Sequence, residues 1–313
     1  MIATVDIRGQ QSYGWIPPDL RTSDEKDAHV ANVAEMPVWS LTGDDWGVEK
    51  AFLWEISQKA NGGKHLPTLY QKTGSCVGNG GWCAYMHLAA FEIVRLGDAE
   101  QLKTLFMPYT YGRGRLAAGI RGRGDGSTGS GQATAVRTDG VIPNDLAGLP
   151  QPRDEGGLTW GSKVEIDWSA GERINESWVT QGRKHLIKTT SQVRNAADVR
   201  AAICNGYPVT IASNWGGMME PPVKDGVILN RRVTQWRHQM AIIAWWKHPS
   251  HGEIFYVQNS WGREVHGDCP SGAPPGGFWV HSGDVDYITD QDDSFAHSQF
   301  DGFPAQQIDW SLV

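Results

Sequence analysis

Three short segments of the sequence carry side chains that could together perform nucleophilic catalysis. Cys76 stands in GSCVGN at the start of a predicted helix, His238 stands near the front of the apolar run RHQMAIIAWW, and Asn259 follows the strand-like FYVQ. A thiol attacks as a thiolate, which a helix N-terminus or a neighbouring imidazolium stabilises. An Asn oxygen can accept from one imidazole nitrogen while the other nitrogen serves the sulfur. The pattern predicts Cys76 as nucleophile, His238 as its base and Asn259 as the residue that orients the base.

Each of these residues also has a purely structural interpretation. A lone cysteine is most often a buried, unreactive side chain, and a histidine beside an apolar run is often part of a core. His238 lies between the polar residues Arg237 and Gln239, which favours a position at a cleft. Trp261 follows Asn259 by two residues and could shield a His–Asn hydrogen bond from water.

Taken together, the three segments resemble the papain family of cysteine peptidases. The resemblance rests on GSCVGN, RHQMAIIAWW and YVQNSWG, in the order Cys, His, Asn. NSWG followed by a glycine-rich turn and the aromatic strand GGFWV is its most specific part. Weaker agreement in YGW near residue 13, in DGSTGSGQATAVRTDGVIP and in NGYPVTIASNW extends it over most of residues 13–285. The resemblance implies a two-lobed fold with Cys76 on the central helix of one lobe.

The resemblance also implies further residues of the site. Gln71 and the Cys76 backbone N–H would bind the oxyanion, a role worth about 3 kcal/mol for one such donor. The residues that would contact the substrate are Gly129, Ser130, Gly131, Ser213, Arg237 and Trp261. The implied substrate is a protein or peptide, with no cofactor. No CxxC pair occurs, so a zinc site built from cysteine is not expected.

The sequence departs from the family's pattern at several points. The family's oxyanion glutamine lies six residues before the nucleophile, where this chain has Tyr70, whereas Gln71 lies five before. Val77 replaces the usual Trp, and a long interval between Cys and His implies an insertion within 145–190. Neither the inhibitory pro-segment, within 1–60, nor the eukaryotic disulfide pattern is recognisable. These departures point to a bacterial, archaeal or viral member kept in a reducing compartment.

Composition argues against several classes of function. The 313 residues are 40% hydrophobic and 20% charged with a formal net charge of -7, so a nucleic-acid surface with its basic excess is not expected. No apolar run approaches the roughly 20 residues needed to cross a bilayer, and no secretory signal pattern is found. A cytoplasmic or virion-associated location is therefore favoured. The four cysteines are expected to be free thiols.

Helical patterns dominate the first half of the chain and strand patterns the second, which predicts an α+β fold. The predicted helices are 45–60, 76–96 and one that Asn195 caps, and the predicted strands are 208–212, 240–246, 254–258 and 277–281. A long surface loop is predicted over 108–131, and a linker over 150–170.

The predicted organisation is that of a papain-like two-lobed protein. An extended N-terminal arm covers 1–45, and a mainly helical lobe over 46–160 carries the nucleophile on its central helix. An antiparallel, β-rich lobe over 161–313 carries His238 and Asn259.

The leading hypothesis for function is therefore hydrolysis of peptide bonds by Cys–His–Asn thioester catalysis. A second hypothesis is a papain-fold structural or binding component of a virus particle or other assembly, with an assembly partner and weak or no peptidase activity. The unrecognised pro-segment and the 15 tryptophans permit it, whereas the presence of all three catalytic residue types argues against it. An acyltransferase with the same triad leaves no separate local signature.

Overall fold

The computed structural model of the protein describes residues 4–5, 11–39, 47–96, 102–122 and 124–298. Its helices are α1 (Ser23–Ala34), α2 (Leu53–Ala60), α3 (Cys76–Phe91), α4 (Met107–Ala117), α5 (Gly129–Thr138), α6 (Ser162–Ser169), α7 (Glu176–Gly182), α8 (Ala196–Cys204) and α9 (Ser282–Thr289). A 3-10 turn covers Pro18–Leu20, and a π-helical turn over Glu92–Leu96 continues α3. Across these described ranges, no helix combines the length and the apolar character that crossing a membrane requires.

The strands are short except for one long central strand. They are β1 (Thr4–Val5), β2 (Gln11–Ser12), β3 (Lys50–Phe52), β4 (Arg153–Asp154), β5 (Leu158–Thr159), β6 (Thr189–Gln192), β7 (Val209–Gly216), β8 (Val223–Lys224), β9 (Val227–Ile228), β10 (Thr234–His248), β11 (Gly252–Gln258), β12 (Gly277–His281) and β13 (Phe295–Ser298). Seven strands form an antiparallel sheet in the order β12-β11-β10-β7-β13-β6, with β3 also paired to β10. The fold is thus an α+β arrangement, as the sequence predicts.

The central strand β10 is buried from Trp236 to Trp245 without a break. Because both of its faces are covered, its sequence from Met240 to Trp245 is a continuous apolar run and not an alternation of polar and apolar residues. One face of the strand packs against α3. This helix is buried along almost its whole length and is therefore apolar on all sides. This packing of α3 on β10 places the start of the helix beside the N-terminal half of the strand.

The predicted strands of the second half are confirmed, each within a few residues. β10 and β11 contain the predicted segments 240–246 and 254–258, β7 begins one residue after the start of 208–212, and β12 has the predicted limits. The helix that Asn195 caps is also found, since the Asn195 side chain accepts from Asp198 N at 2.8 Å. The nucleophile helix begins at Cys76 as predicted, but its regular α-helical part ends at Phe91.

Three predictions about the remaining segments are wrong. Residues 108–131 are not a long loop, because α4 and the start of α5 lie within them. The glycines that suggest a loop instead allow close packing: an added Cβ at Gly112 would lie 2.3 Å from Trp168 O. The predicted linker 150–170 contains α6, and the predicted helix 45–60 begins with β3, which joins the sheet.

The predicted extended arm contains the regular helix α1. Thr22 and Glu25 form a reciprocal capping box at its start. The chain before it is tied to the body by Asp293, whose carboxylate accepts from Trp15 Nε1 at 2.7 Å and Arg21 Nη2 at 3.0 Å. The same carboxylate accepts from the backbone of Gly129 at the start of α5. Asp293 therefore joins the arm, a helix and the sheet region at one fully buried point.

We predict that Asp293→Ala lowers the free energy of unfolding by about 3–5 kcal/mol, because it leaves the buried Arg21 charge without its partner. Urea unfolding at neutral pH measures the change. Asp290→Ala, at an exposed site in the same turn region, is the control and should change it by about 0.5 kcal/mol or less. Equal stability of the two variants would contradict the assignment of Asp293 as an anchor.

Candidate active site

Cys76 begins α3 at the point where the helix meets β10. Its Sγ accepts a hydrogen bond from Gln239 N at 3.3 Å, and Gln239 Nε2 donates to Val77 O at 2.9 Å. One turn later, an added Cβ at Gly80 would lie 3.2 Å from the backbone oxygen of Gln239. The glycine therefore lets the first turns of α3 lie directly on the strand that carries His238.

His238 follows an irregularity in β10. The pairing with β7 shifts register between Gln235 and His238, and Arg237 has a φ of 46°. Such bulges commonly redirect a side chain next to an active site. The His238 ring is buried and lies against the indole of Trp261, with centroids 4.8 Å apart and planes 27° apart.

Asn259 holds one nitrogen of that ring. His238 Nε2 lies 2.8 Å from Asn259 Oδ1, which also accepts from Ser260 N at 2.7 Å. Because a backbone N–H can only donate, Oδ1 is the Asn259 atom that faces His238, and Nε2 carries the proton. His238 Nδ1 is left as a bare, buried nitrogen with no hydrogen-bond partner among the described residues, Cys76 included. The sequence prediction of a neighbouring His and Asn thus corresponds to a direct contact.

The other side of the Asn259 amide contacts a residue that sequence reasoning missed. Asn259 Nδ2 lies 3.0 Å from His266 Nε2, and His266 Nδ1 lies 2.9 Å from Met219 O. His266 is buried and has a φ of 66°, which is rare outside glycine. A histidine in the turn that follows NSWG was the available signal for this residue.

Gln71 lies at the same site with its amide fixed on both ends. Its Nε2 donates to Tyr13 O at 3.1 Å and to Thr73 O at 2.9 Å, while its Oε1 accepts from Ser260 Oγ at 2.8 Å. The two carbonyls can only accept, so the orientation of the amide is determined. The structure therefore brings Gln71 together with Cys76, His238 and Asn259, despite its displacement by one residue in the sequence.

Comparison with solved structures finds the same architecture in cysteine proteases. Xylellain, a cysteine protease from Xylella fastidiosa, is similar with a TM-score of 0.52 and 14% identity over 96% of this chain and 95% of its own. The ragweed pollen cysteine protease Amb a 11 in its proform gives 0.51 and 14% over 88% and 76% of the two chains. Procathepsin L 3 of Tenebrio molitor gives 0.51 and 9% over 91% and 82%. The fold is papain-like. No protein-family model and no curated protein sequence matches the chain.

The cleft of this papain-like fold is filled by the protein's own N-terminal segment, Tyr13–Ile16. The backbone N–H groups of Tyr13 and Trp15 both lie 3.3 Å from Arg237 O, on one side of the segment. On the other side, Ser127 N donates to Gly14 O at 2.8 Å and Ile16 N donates to Ser127 O at 3.0 Å. Cys76 is 0% exposed and His238 1% exposed beneath it. Both side chains are therefore closed off from solvent while this segment stays in place.

Tyr13 lies against the candidate catalytic histidine, and Gly14 lies against the loop that precedes Cys76. The Tyr13 ring lies against His238 and Trp261, with centroids 5.4 and 4.5 Å away. Gly14 has a φ of 121°, and an added Cβ would lie only 1.8 Å from Gly74 O. No other residue type fits at position 14 while the segment stays in place.

Burial makes the closed papain-like site electrically neutral. It raises the pKa of the Cys76 thiol to about 12, against a smaller lowering by the backbone N–H groups of Gln239, Val77 and Trp15. It lowers the pKa of His238 to about 3, although the hydrogen bond to Asn259 opposes this shift. The resting pair is therefore thiol and imidazole, since a dry cavity disfavours both charged forms.

The loop between Gln71 and Cys76 is held by two carboxylates. Glu165 Oε2 accepts from Thr73 Oγ1 at 2.7 Å and from Ser75 Oγ at 2.8 Å, and Asp125 Oδ2 accepts from Gly74 N at 3.1 Å. Glu165 belongs to α6, within the segment that the sequence identifies as an insertion. Its pKa is raised, first by burial, while the two hydroxyl donors partly offset the shift.

The predicted substrate-contacting residues occupy different environments. Arg237 and Trp261 touch the covering segment, and Ser213 is paired with His238 across the sheet. At 129–131 the backbone N–H groups of Gly129 and Ser130 are bonded to Asp293. The backbone contacts to the covering segment come instead from Ser127, so the substrate role of Gly129, Ser130 and Gly131 stays a prediction. Among the described residues, no cluster of His, Cys, Asp or Glu could hold a metal ion.

We predict that Gly14→Ala displaces the covering segment, because the Cβ and Gly74 O cannot occupy the same space. Alkylation of Cys76 by iodoacetamide, followed by peptide mass mapping, should become about 5- to 150-fold faster, since strain of this kind amounts to about 1–3 kcal/mol. Gly148→Ala is the matched control, because Gly148 also has a positive φ, of 90°, but open space around it. An unchanged alkylation rate in Gly14→Ala would show that the segment does not limit access.

Proposed function

We propose that the protein is a cysteine peptidase that cleaves peptide bonds through a thioester on Cys76. The observation that carries the proposal is the hydrogen bond between His238 Nε2 and Asn259 Oδ1, which leaves Nδ1 bare in the strand that meets the nucleophile's helix. The contact of Gln239 N with the Cys76 sulfur supports it, because it fixes the thiol beside that strand. The similar structures with a papain-like fold are cysteine proteases, which supports the same class of reaction.

The proposed reaction begins when Tyr13–Ile16 leave the cleft and a peptide enters. His238 Nδ1 takes the thiol proton, and the sulfur attacks the carbonyl carbon of the scissile bond. The oxyanion accepts from Gln71 Nε2, in the place that Tyr13 O now occupies, and from the Cys76 backbone N–H. The imidazolium then protonates the leaving nitrogen, and the C–N bond breaks to leave a thioester.

The second half of the reaction restores the enzyme. His238 removes a proton from water, the hydroxide attacks the thioester carbon, and the carboxylic acid product leaves as the C–S bond breaks. The proton returns from the imidazolium to the sulfur. Asn259 keeps the ring in one orientation throughout, and Trp261 covers the His–Asn hydrogen bond.

A second candidate function is that of a papain-fold component of an assembly, with weak or no peptidase activity. The observation that favours it is the complete burial of Cys76 under Tyr13–Ile16. Under this alternative the segment never leaves the cleft, so the thiol resists modification in the intact protein and in variants that only loosen the segment.

We predict that a thiol-directed epoxide forms one covalent adduct on Cys76 in the Gly14→Ala protein, as intact-mass measurement and peptide mapping would detect. Cys76→Ala in the same background should show no adduct, because Cys83 and Cys204 are buried and the Cys269 sulfur contacts Ser271 Oγ. Cys83→Ala should label as well as its parent, which tests whether a second buried thiol takes part. Absence of the adduct from Gly14→Ala, with its segment displaced, would refute an activated thiol.

We predict that Gln71→Ala lowers kcat for a peptide substrate about 100-fold with little change in KM, because the amide acts on the oxyanion and not on the bound ground state. Alkylation of Cys76, which forms no oxyanion, should change much less. Gln291→Ala is a control for general effects of removing a hydrogen-bonded, half-buried amide, since Gln291 Oε1 accepts from Asn214 N. A loss in alkylation equal to the loss in kcat would mean that Gln71 acts on the sulfur or on the fold.

A further inference from the structure

We propose that His266 is a positioning residue that, together with the Ser260 backbone N–H, fixes the Asn259 amide and so sets which nitrogen of His238 carries the proton. The proposal deepens the proposed function, on whose catalytic assignment of His238 it rests. His266 itself does not touch the sulfur. It acts through Asn259, whose amide nitrogen is hydrogen-bonded to His266 and whose amide oxygen is hydrogen-bonded to His238.

A series of hydrogen bonds runs from Met219 O through His266 and Asn259 to His238. The donor and the acceptor of each bond follow from the groups in this series that can only donate or only accept. Met219 O can only accept, so His266 Nδ1, 2.9 Å away, carries a proton. A neutral ring has one proton, and His266 Nε2 is therefore an acceptor for Asn259 Nδ2 at 3.0 Å. The Asn259 oxygen must then face His238, which donates from Nε2 and keeps Nδ1 unprotonated. This is the form that can accept the thiol proton.

The Ser260 backbone N–H supports the same orientation independently, because it donates to Asn259 Oδ1 at 2.7 Å. A reversed Asn259 amide would place its NH₂ group against this N–H and against His238. It would also turn the amide oxygen toward the lone pair of His266 Nε2. The amide of Asn259 is thus fixed at both ends, with His266 as the acceptor that its NH₂ group requires.

Protonation of His266 would break its hydrogen bond with Asn259, because Nε2–H and the Asn259 NH₂ group would then face each other as two donors. The surroundings keep the ring neutral: Trp236 and Phe278 lie against it, with centroids 6.1 and 4.8 Å away. Burial lowers the pKa of His266 to about 4, although the bond to Met219 O opposes the shift.

Among the described residues, the buried titratable side chain that interacts with His266 is His238, and a positive charge on either ring disfavours a charge on the other. Glu220, Glu264 and Asp268, the carboxylates nearest in sequence to Met219 and His266, are exposed. Arg263 is paired with Asp154. The neutral state of His266 therefore depends on its aromatic and backbone surroundings.

Two variants distinguish the loss of the hydrogen-bond acceptor for Asn259 from the loss of the imidazole ring alone. His266→Gln can place Oε1 where Nε2 lies, so it keeps an acceptor for Asn259 but has no proton to gain. His266→Leu removes the acceptor and leaves the buried NH₂ group unpaired, a loss that corresponds to about tenfold in rate. His297→Leu is the matched control for loss of a buried histidine, since His297 bonds Thr210 in the sheet away from the site.

The kinetic test measures kcat and KM of these variants in the full chain from pH 7 down to pH 4. His266→Leu should lose about tenfold in kcat with KM unchanged, while His266→Gln and His297→Leu keep kcat at pH 7. Wild type should lose activity toward pH 4 more steeply than His266→Gln. In the Asn259→Ala background, His266→Leu should have no further effect. Equal losses in the Leu and Gln variants, or an additive effect in that background, would overturn the proposal.

A spectroscopic test does not depend on peptidase activity. Nitrogen-15 NMR of the histidine rings at neutral pH should show His238 protonated at Nε2 alone and His266 at Nδ1 alone. In His266→Leu, the His238 signals should move toward a mixture of protonation states. Protonation of His266 at Nε2, or an unchanged His238 in the Leu variant, would overturn the proposal even if the protein proves to be a peptidase. The expected NMR pattern in a protein without peptidase activity would instead refute only the proposed function.

Discussion

The direct packing of the first turns of α3 on strand β10 is the constraint on which the rest of the site depends. Gly80 removes the side chain that would keep the helix away from the backbone of Gln239, and Gln239 bonds both the Cys76 sulfur and Val77. A helix that starts at the sheet brings its N-terminal residue beside the residue that precedes Gln239. That residue is His238, which directly follows the irregularity of β10 at Arg237.

The same close packing makes the site dry, and dryness has two opposite effects. It strengthens the hydrogen bonds that orient His238 and Asn259, because few competing water molecules reach them. It also suppresses the charged forms of Cys76 and His238, so the closed protein holds a neutral pair. The Tyr13–Ile16 segment completes this state by placing Tyr13 O on the Gln71 amide. Opening the cleft would restore the polarity that a thiolate and an imidazolium need.

The sequence predicted the parts of the site that depend on local patterns. The helix start at Cys76, the strands around His238 and Asn259, and the cap at Asn195 all follow from short-range periodicity and turn chemistry. The helices α4 and α6 were missed because their stability comes from tertiary contacts, such as the approach of Trp168 O to Gly112. The sequence alone does not distinguish a glycine that allows close packing of helices from a glycine that permits a loop.

Two features of the site could not be predicted for a related reason. The covering segment lies far from Cys76 in sequence, and only the fold shows that Gly14 fits against Gly74 O. His266 contacts Asn259 because the turn between them folds back, which no pattern of hydrophobic residues encodes. The Gln71 amide, conversely, is fixed by Ser260 and Thr73 although its sequence position is displaced by one, and its role toward the oxyanion stays a prediction.

We propose that Tyr13 O occupies the place of a substrate carbonyl in a thiol active site. A crystal structure of the protein after reaction with a peptide aldehyde tests this most directly. We expect a hemithioacetal on Cys76, with its oxygen bonded to Gln71 Nε2 and with Tyr13–Ile16 displaced from the cleft. An adduct on another residue, or an adduct on Cys76 with Tyr13 O still bonded to Gln71, would contradict it.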